Sequence, residues 1–177
     1  KVDMLTSLPL SINVAFATAL VPAISAAKAR KDKKTIVKKS SFSLLTSMLI
    51  ALPCTVGMFI FAGPILNLLF PNASDGAVIL QISSLTIIFT VLDQTINGIL
   101  QGYGKLRVPA IALGIGVIVK LILNLVLVPN PAFGVKGAAW GSVACHLVAF
   151  AITMAALRKV IKLNLTFKKI VVKPVLA

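Results

Sequence analysis

In the stretch LDQTINGILQ, residues 92–101, Asp93, Asn97 and Gln101 recur every four residues, so a helix carries all three on one face. Lys120 and Asn124 repeat that spacing further on, and His146 sits in another oily run. Polar groups at membrane depth are costly and face protein or a wet cavity. Two uses suit these residue types. Charge-assisted and amide hydrogen bonds can replace the hydration of a polar cargo in transit. The same groups can bond helix to helix, which is the usual role of uncharged residues such as Asn97, Gln101, Asn124 and His146. Lys120 lies too far along its run to snorkel to the inner interface, so it is expected to face the bundle interior or a cavity, with Asp93 as its partner.

Enzyme chemistry has little to work with. The chain has no Glu, one His, and four Asp dispersed at 3, 32, 75 and 93. Paired carboxylates, zinc spacing, a nucleophile elbow and a phosphate-cradling glycine loop are all missing. No catalytic residue, metal ligand or cofactor is therefore assigned. Asp75 is a weak acid candidate near a membrane face, and Ser74 and Asp75 read more simply as helix caps. Cys54 and Cys145 lie in apolar runs and suggest neither a metal cluster nor a disulfide framework.

The elements that must position these residues are read from hydropathy. Of the 177 residues, 58% are hydrophobic and 12% charged, against about 25% charged in soluble domains. Five apolar runs, about 5–27, 42–62, 77–100, 108–128 and 137–158, approach or reach the ~20 residues that cross a bilayer as a helix. Helix is the element that satisfies its own backbone groups in hydrocarbon. The fold class is thus all-α, a polytopic bundle whose first partner is the lipid bilayer. The piece GPILNLLF after the second run reads as interfacial. Pro9, Pro22 and Pro53 remove backbone donors and serve as kinks or as packing features. Small residues four apart, Ala110/Gly114, Ala112/Gly116, Gly137/Gly141 and Gly141/Cys145, favour tight packing of the last two spans.

The net charge of +14 does not indicate nucleic acid. Basic residues cluster between the oily runs with few aromatics interleaved, unlike a phosphate-and-stacking face. Segments 28–41, 101–107 and 158–173 hold fifteen Lys and Arg, while Lys1 and Lys136 stand alone on the other side. The positive-inside rule then puts the three rich segments in the cytoplasm. The chain opens without Met, and an internal piece of a longer protein is expected.

Four stretches in order carry a family resemblance: SLPLSINVAFATALVPAIS (7–25), LPCTVGMFIFAGPILNLLF (52–70), GILQGYGKLRVP (98–109) and KLILNLVLVPNPAFGVKGAAWGS (120–142). Together they resemble the polysaccharide biosynthesis branch of the multidrug/oligosaccharidyl-lipid/polysaccharide exporter superfamily. That branch includes the stage V sporulation protein B-like proteins, with the lipid II flippases more distant. The resemblance implies two pseudo-symmetric lobes of helices, with this chain as part of the second and a first lobe supplied by the same parent chain. It implies translocation of a lipid-linked oligosaccharide or cell-wall precursor across a bacterial cytoplasmic membrane by alternating access. Asp93, Asn97, Gln101, Lys120, Asn124 and His146 would then be candidates for the substrate or ion pathway. Two other readings stay open: a cation-coupled multidrug exporter of the same superfamily, with Asp93 as the ion site, and a non-transporting scaffold of an envelope or sporulation complex.

Overall fold

A computed structural model of the chain describes residues 2–69, 76–129 and 134–161. All its regular structure there is helical: α1 (Val2–Ala29), α2 (Lys33–Ile60), α3 (Ala62–Leu69), α4 (Ala77–Gly102), α5 (Arg107–Leu127) and α6 (Gly134–Val160). Four helices are long and apolar enough to cross a membrane, Lys33–Ile60, Ala77–Gly102, Arg107–Leu127 and Gly137–Val160, and Asn13–Ala29 of α1 is a shorter apolar stretch. The apolar piece after α2 forms the separate helix α3, which leaves Leu68 exposed. The expected caps Ser74 and Asp75 lie outside the described residues, as does the basic tail beyond Ile161.

The basic segment after α1 is less of a loop than its composition suggests. The α1 C-terminus closes with Asp32 N–H donating to Ala27 C=O at 3.1 Å and Lys31 N–H to Lys28 C=O at 2.9 Å. This is the Schellman pattern, with Lys31 at φ 55° where glycine is usual. Helix α2 starts two residues later because Asp32 caps it. Its carboxylate accepts from Thr35 N–H at 3.0 Å and from Thr35 Oγ1 at 2.6 Å. Lysine is a good helix former, so Lys33–Lys39 enters α2 rather than staying irregular. The turn after α4 repeats the closure with glycine in place: Gly104 has φ 81°, Gly104 N–H donates to Gln101 C=O, and Lys105 N–H to Leu100 C=O. Lys28 ties the two turns together. Its Nζ donates to Tyr103 C=O at 2.6 Å and lies 4.8 Å from the Tyr103 ring centre.

Helix α4 is the centre of the bundle and packs on α1, α2 and α6, whereas α5 lies outside, seated on α6. This corrects the expectation that a short connection makes α4 and α5 neighbours: they touch only marginally, and α6 occupies the place beside α4. Two apolar cores flank the middle of α4. One gathers Leu20, Ile24, Leu44, Ile96, Ile99, Leu100 and Leu157, and the other Ala51, Ile87 and Val91. Between lipid-immersed helices the hydrophobic effect is weak, so close approach of small residues must contribute. A Cβ at Gly98 would stand 2.5 Å from Ala17 O, and one at Gly102 2.8 Å from Val21 O, which marks the α1–α4 crossing. On the α5–α6 seam, Cβ atoms at Gly116 and Gly137 would meet Cys145 O and Leu127 Cβ, both at 2.8 Å. Ala112 and Gly116 are buried there, while Ala110 and Gly114 face outward. Helices α1 and α2 run through Pro22 and Pro53 without ending.

Candidate functional site

Polar side chains collect at one level of α4, between the two cores. On the α6 side, Asp93 accepts from Thr153 Oγ1 at 2.7 Å and from Asn97 Nδ2 at 3.1 Å. Asp93 and Thr153 are buried, and Asp93 lies about 13 Å along the axis from the end of α4 at 1.5 Å per residue. The expected Lys120–Asp93 ion pair is not formed. Lys120 is half-buried on α5 with α6 between it and α4, and Asp93 takes its hydrogen bonds from hydroxyl and amide donors instead. His146, half-buried on α6, lies within electrostatic range of both Asp93 and Lys120. Asn124 faces Gly141 of α6, and its Oδ1 is buried without a hydrogen-bond partner.

The opposite side of α4 carries a node that the sequence reading did not single out. Asn13 of α1 donates through Nδ2 to Val91 O and to Gln94 Oε1, each at 3.0 Å. Ser47 of α2 donates to Asn13 Oδ1 at 3.1 Å, and Ser47 Oγ and Thr95 Oγ1 are 2.6 Å apart. Asn13, Ser47 and Thr95 are fully buried. One signal was available: Asn13 is an amide within an apolar run. The Ser and Thr partners give none, because these residues are tolerated throughout membrane helices.

Toward the basic end, α1 and α4 part to leave a groove of about 220 Å³. Thr18, Gln94, Asn97 and Gln101 supply its polar lining, with Val14 and Val21 opposite and Gly98 at the crossing. Asn97 therefore borders two environments. Its Nδ2 is committed to Asp93, while its Oδ1 is buried without a partner, an arrangement that costs about 1–3 kcal/mol unless a donor arrives. Gln101 is exposed in the same groove. The six candidates thus divide. Asp93, Asn97 and Gln101 form a continuous row on α4 with His146 nearby, and Lys120 and Asn124 lie apart on the α5–α6 seam. Among the described residues no group of three or more His, Cys, Asp or Glu is placed to hold a metal ion.

Comparison with known proteins fits this membrane architecture. A family model described as "Lipid II flippase MurJ" matches residues 2–177. The chain is 35% identical over 146 residues to the "Uncharacterized membrane protein YabM" of Bacillus subtilis, covering 82% of this chain and 27% of that protein. It is 28% identical over 133 residues to the "Lipid II flippase MurJ" of the same organism, covering 72% and 24%. To its "Stage V sporulation protein B" it is 24% identical over 165 residues, covering 93% and 32%. The chain spans about a quarter to a third of the length of these curated relatives. No solved structure matches it. The apolar helices and these relatives make it a multi-pass protein of the cell membrane.

Proposed function

The chain belongs to the lipid II flippase MurJ family, and on that footing we propose that it is part of the second lobe of a transporter that carries a lipid-linked oligosaccharide or cell-wall precursor across the cytoplasmic membrane by alternating access. The three basic segments face the cytoplasm in this reading. The α1–α4 groove, lined by Gln94, Asn97 and Gln101, forms part of the hydrophilic route, and a first lobe of the same parent chain closes its other wall.

The observation that carries the reading is the row of amide side chains, each with a carbonyl oxygen, that Gln94, Asn97 and Gln101 set along the α1–α4 groove, with Gln101 exposed. Sugar hydroxyls donate hydrogen bonds to such an oxygen, and Gln94 and Gln101 amides can both donate and accept. One lost hydrogen bond of this kind is worth about 0.5–1.5 kcal/mol, up to about tenfold in rate when it acts only in transit. The test is translocation of a lipid-linked oligosaccharide in proteoliposomes by the parent protein with its first lobe. Asn97→Leu and Gln101→Leu should each slow translocation severalfold, with the melting temperature kept in Gln101→Leu and lowered in Asn97→Leu, which also strips a hydrogen bond from buried Asp93. Unchanged translocation in both would remove the groove from the route.

One observation favours a second reading, a cation-coupled multidrug exporter: the Asp93 carboxylate is buried within a membrane helix, and the partners that donate to it, Thr153 Oγ1 and Asn97 Nδ2, are neutral. Drug efflux driven by an imposed ion gradient and abolished by Asp93→Asn would select it. A scaffold would instead show altered assembly and unaltered translocation in both experiments.

A further inference from the structure

At the basic end of the bundle, the start of α2, the end of α4 and the end of α6 converge around a pocket of about 300 Å³. Its rim carries Lys33, Lys159 and Tyr103, and its floor is apolar: Ile36, Val37, Val160 and Ile161. The nearest carboxylate along the chain, Asp32, is engaged by the hydroxyl and amide of Thr35. The described carboxylates Asp32 and Asp93 take their side-chain hydrogen bonds from Thr35, Thr153 and Asn97, not from Lys33 or Lys159. Their opposed origins matter. Lys33 opens one helix and Lys159 lies in the last turn of another, so the two cations converge only because α2 and α6 both end at this level.

A ligand for this pocket must be anionic at the rim and apolar below it. We infer that the pocket binds the phosphate of an anionic phospholipid, with Lys33 and Lys159 on the phosphate oxygens, Tyr103 donating its hydroxyl, and the first part of an acyl chain lying over Ile36, Val37 and Val160. Charge complementarity selects an anionic lipid over a zwitterionic one, whose own ammonium would meet the two lysines. The apolar floor selects a lipid over free phosphate. The level also fits, since helix ends flanked by basic residues lie at the headgroup boundary. A lipid held there clips three helix ends together without entering the polar level at Asp93, so this inference stands or falls apart from the transport reading.

The test uses the purified, delipidated full chain in neutral detergent, titrated with phosphatidylglycerol and followed by native mass spectrometry. Each basic residue near an anionic lipid surface is worth about fivefold in affinity. Lys33→Gln with Lys159→Gln should therefore weaken phosphatidylglycerol binding about twenty-five-fold. Lys38→Gln with Lys39→Gln, the same charge change made on α2 alone and outside the pocket, should leave it within about twofold. Val37→Trp fills the floor without altering charge and should also weaken binding. Phosphatidylcholine should bind poorly, and inorganic phosphate should not compete. Equal losses in the two lysine pairs would reduce the effect to diffuse attraction and overturn the proposal. Effective competition by inorganic phosphate would overturn the lipid assignment. Val37→Cys carrying a thiol-attached photo-cross-linker that captures the chain's own segment 162–177 under saturating phosphatidylglycerol would assign the pocket to the protein itself and also overturn it.

Discussion

Replacing Gly98 with alanine tests whether α1 and α4 are held by backbone approach. The added Cβ would stand 2.5 Å from Ala17 O, 3.2 Å from Ala17 C and 3.5 Å from its Cα. All three obstacles are backbone atoms of a helix, so no side chain can swing away and α1 itself must shift. Overpacking of this kind costs about 1–3 kcal/mol. Against it stands the gain of about 0.5–1 kcal/mol from removing glycine from a helix interior. Gly114→Ala supplies the reference, because a Cβ there meets nothing within 4 Å. It brings the propensity gain alone, so the difference between the two variants isolates the steric term at about 1–3 kcal/mol. For a chain of this size that separates their melting temperatures by about 2–12 °C, with Gly98→Ala the lower. The assay is thermal unfolding of both full-length variants in one detergent, read as a difference. Superimposable unfolding curves would refute the claim that the α1–α4 crossing rests on Gly98.

Three further outcomes follow from the geometry. Lys31→Gly should raise thermal stability by about 1 kcal/mol, because it removes a side chain from the left-handed conformation at φ 55°; an unchanged or lower melting temperature would contradict the strain. A double-mutant cycle between Asp93→Ala and Thr153→Val should give a coupling energy of about 1 kcal/mol, whereas Asp93→Ala with Lys120→Met should be additive within about 0.5 kcal/mol; the reverse ranking would restore the direct ion pair. The Thr35 hydroxyl, then its backbone N–H, hold the Asp32 carboxyl below its ordinary value of 3.8. A depressed folded-state value stabilises the cap fully above pH 3.8 and loses that contribution as pH falls further, so the first turn of α2, followed by NMR at Thr35, should loosen only below that pH, and a transition centred well above it would count against the cap.

The span-forming helices were legible because unbroken apolar length is a direct physical requirement of the bilayer, and α4, α5 and α6 match the expected runs to within three residues at either end. The 28–41 segment was less legible. Its charge marks a membrane boundary, but charge does not forbid helix, and the cap at Asp32 lets the lysines continue α2. Spacing identified Ala112/Gly116 and Ala110/Gly114 equally as contact pairs. Only the placement of α6 decides that the first is buried and the second is not. The misread partner of Asp93 has the same origin. A short connection fixes which helices follow one another, not which lie side by side, and α6 inserts where α5 was expected. Thr153 was invisible as a partner because a threonine in an oily run is unremarkable until a carboxylate faces it.

Hydrogen-bond capacity separates the two faces of α4, a distinction that residue type could not make. In the node of Asn13, Ser47 and Thr95 each side chain is engaged: Asn13 Nδ2 donates to Val91 O and Gln94 Oε1, Asn13 Oδ1 accepts from Ser47, and Ser47 can in turn accept from Thr95 at 2.6 Å. Such a closed set fixes the register of α1, α2 and α4 and has little left for a passing ligand. Along the row of Asp93, Asn97 and Gln101 the accounts stay open. Asp93 accepts two bonds where a carboxylate has room for about four, and Asn97 keeps an unpaired oxygen. Gln101 stands exposed at the mouth of the groove. A transported polar group needs unsatisfied partners that are already held in place. Helix α4 supplies both halves of that requirement, with its saturated face keeping the unsaturated one rigid.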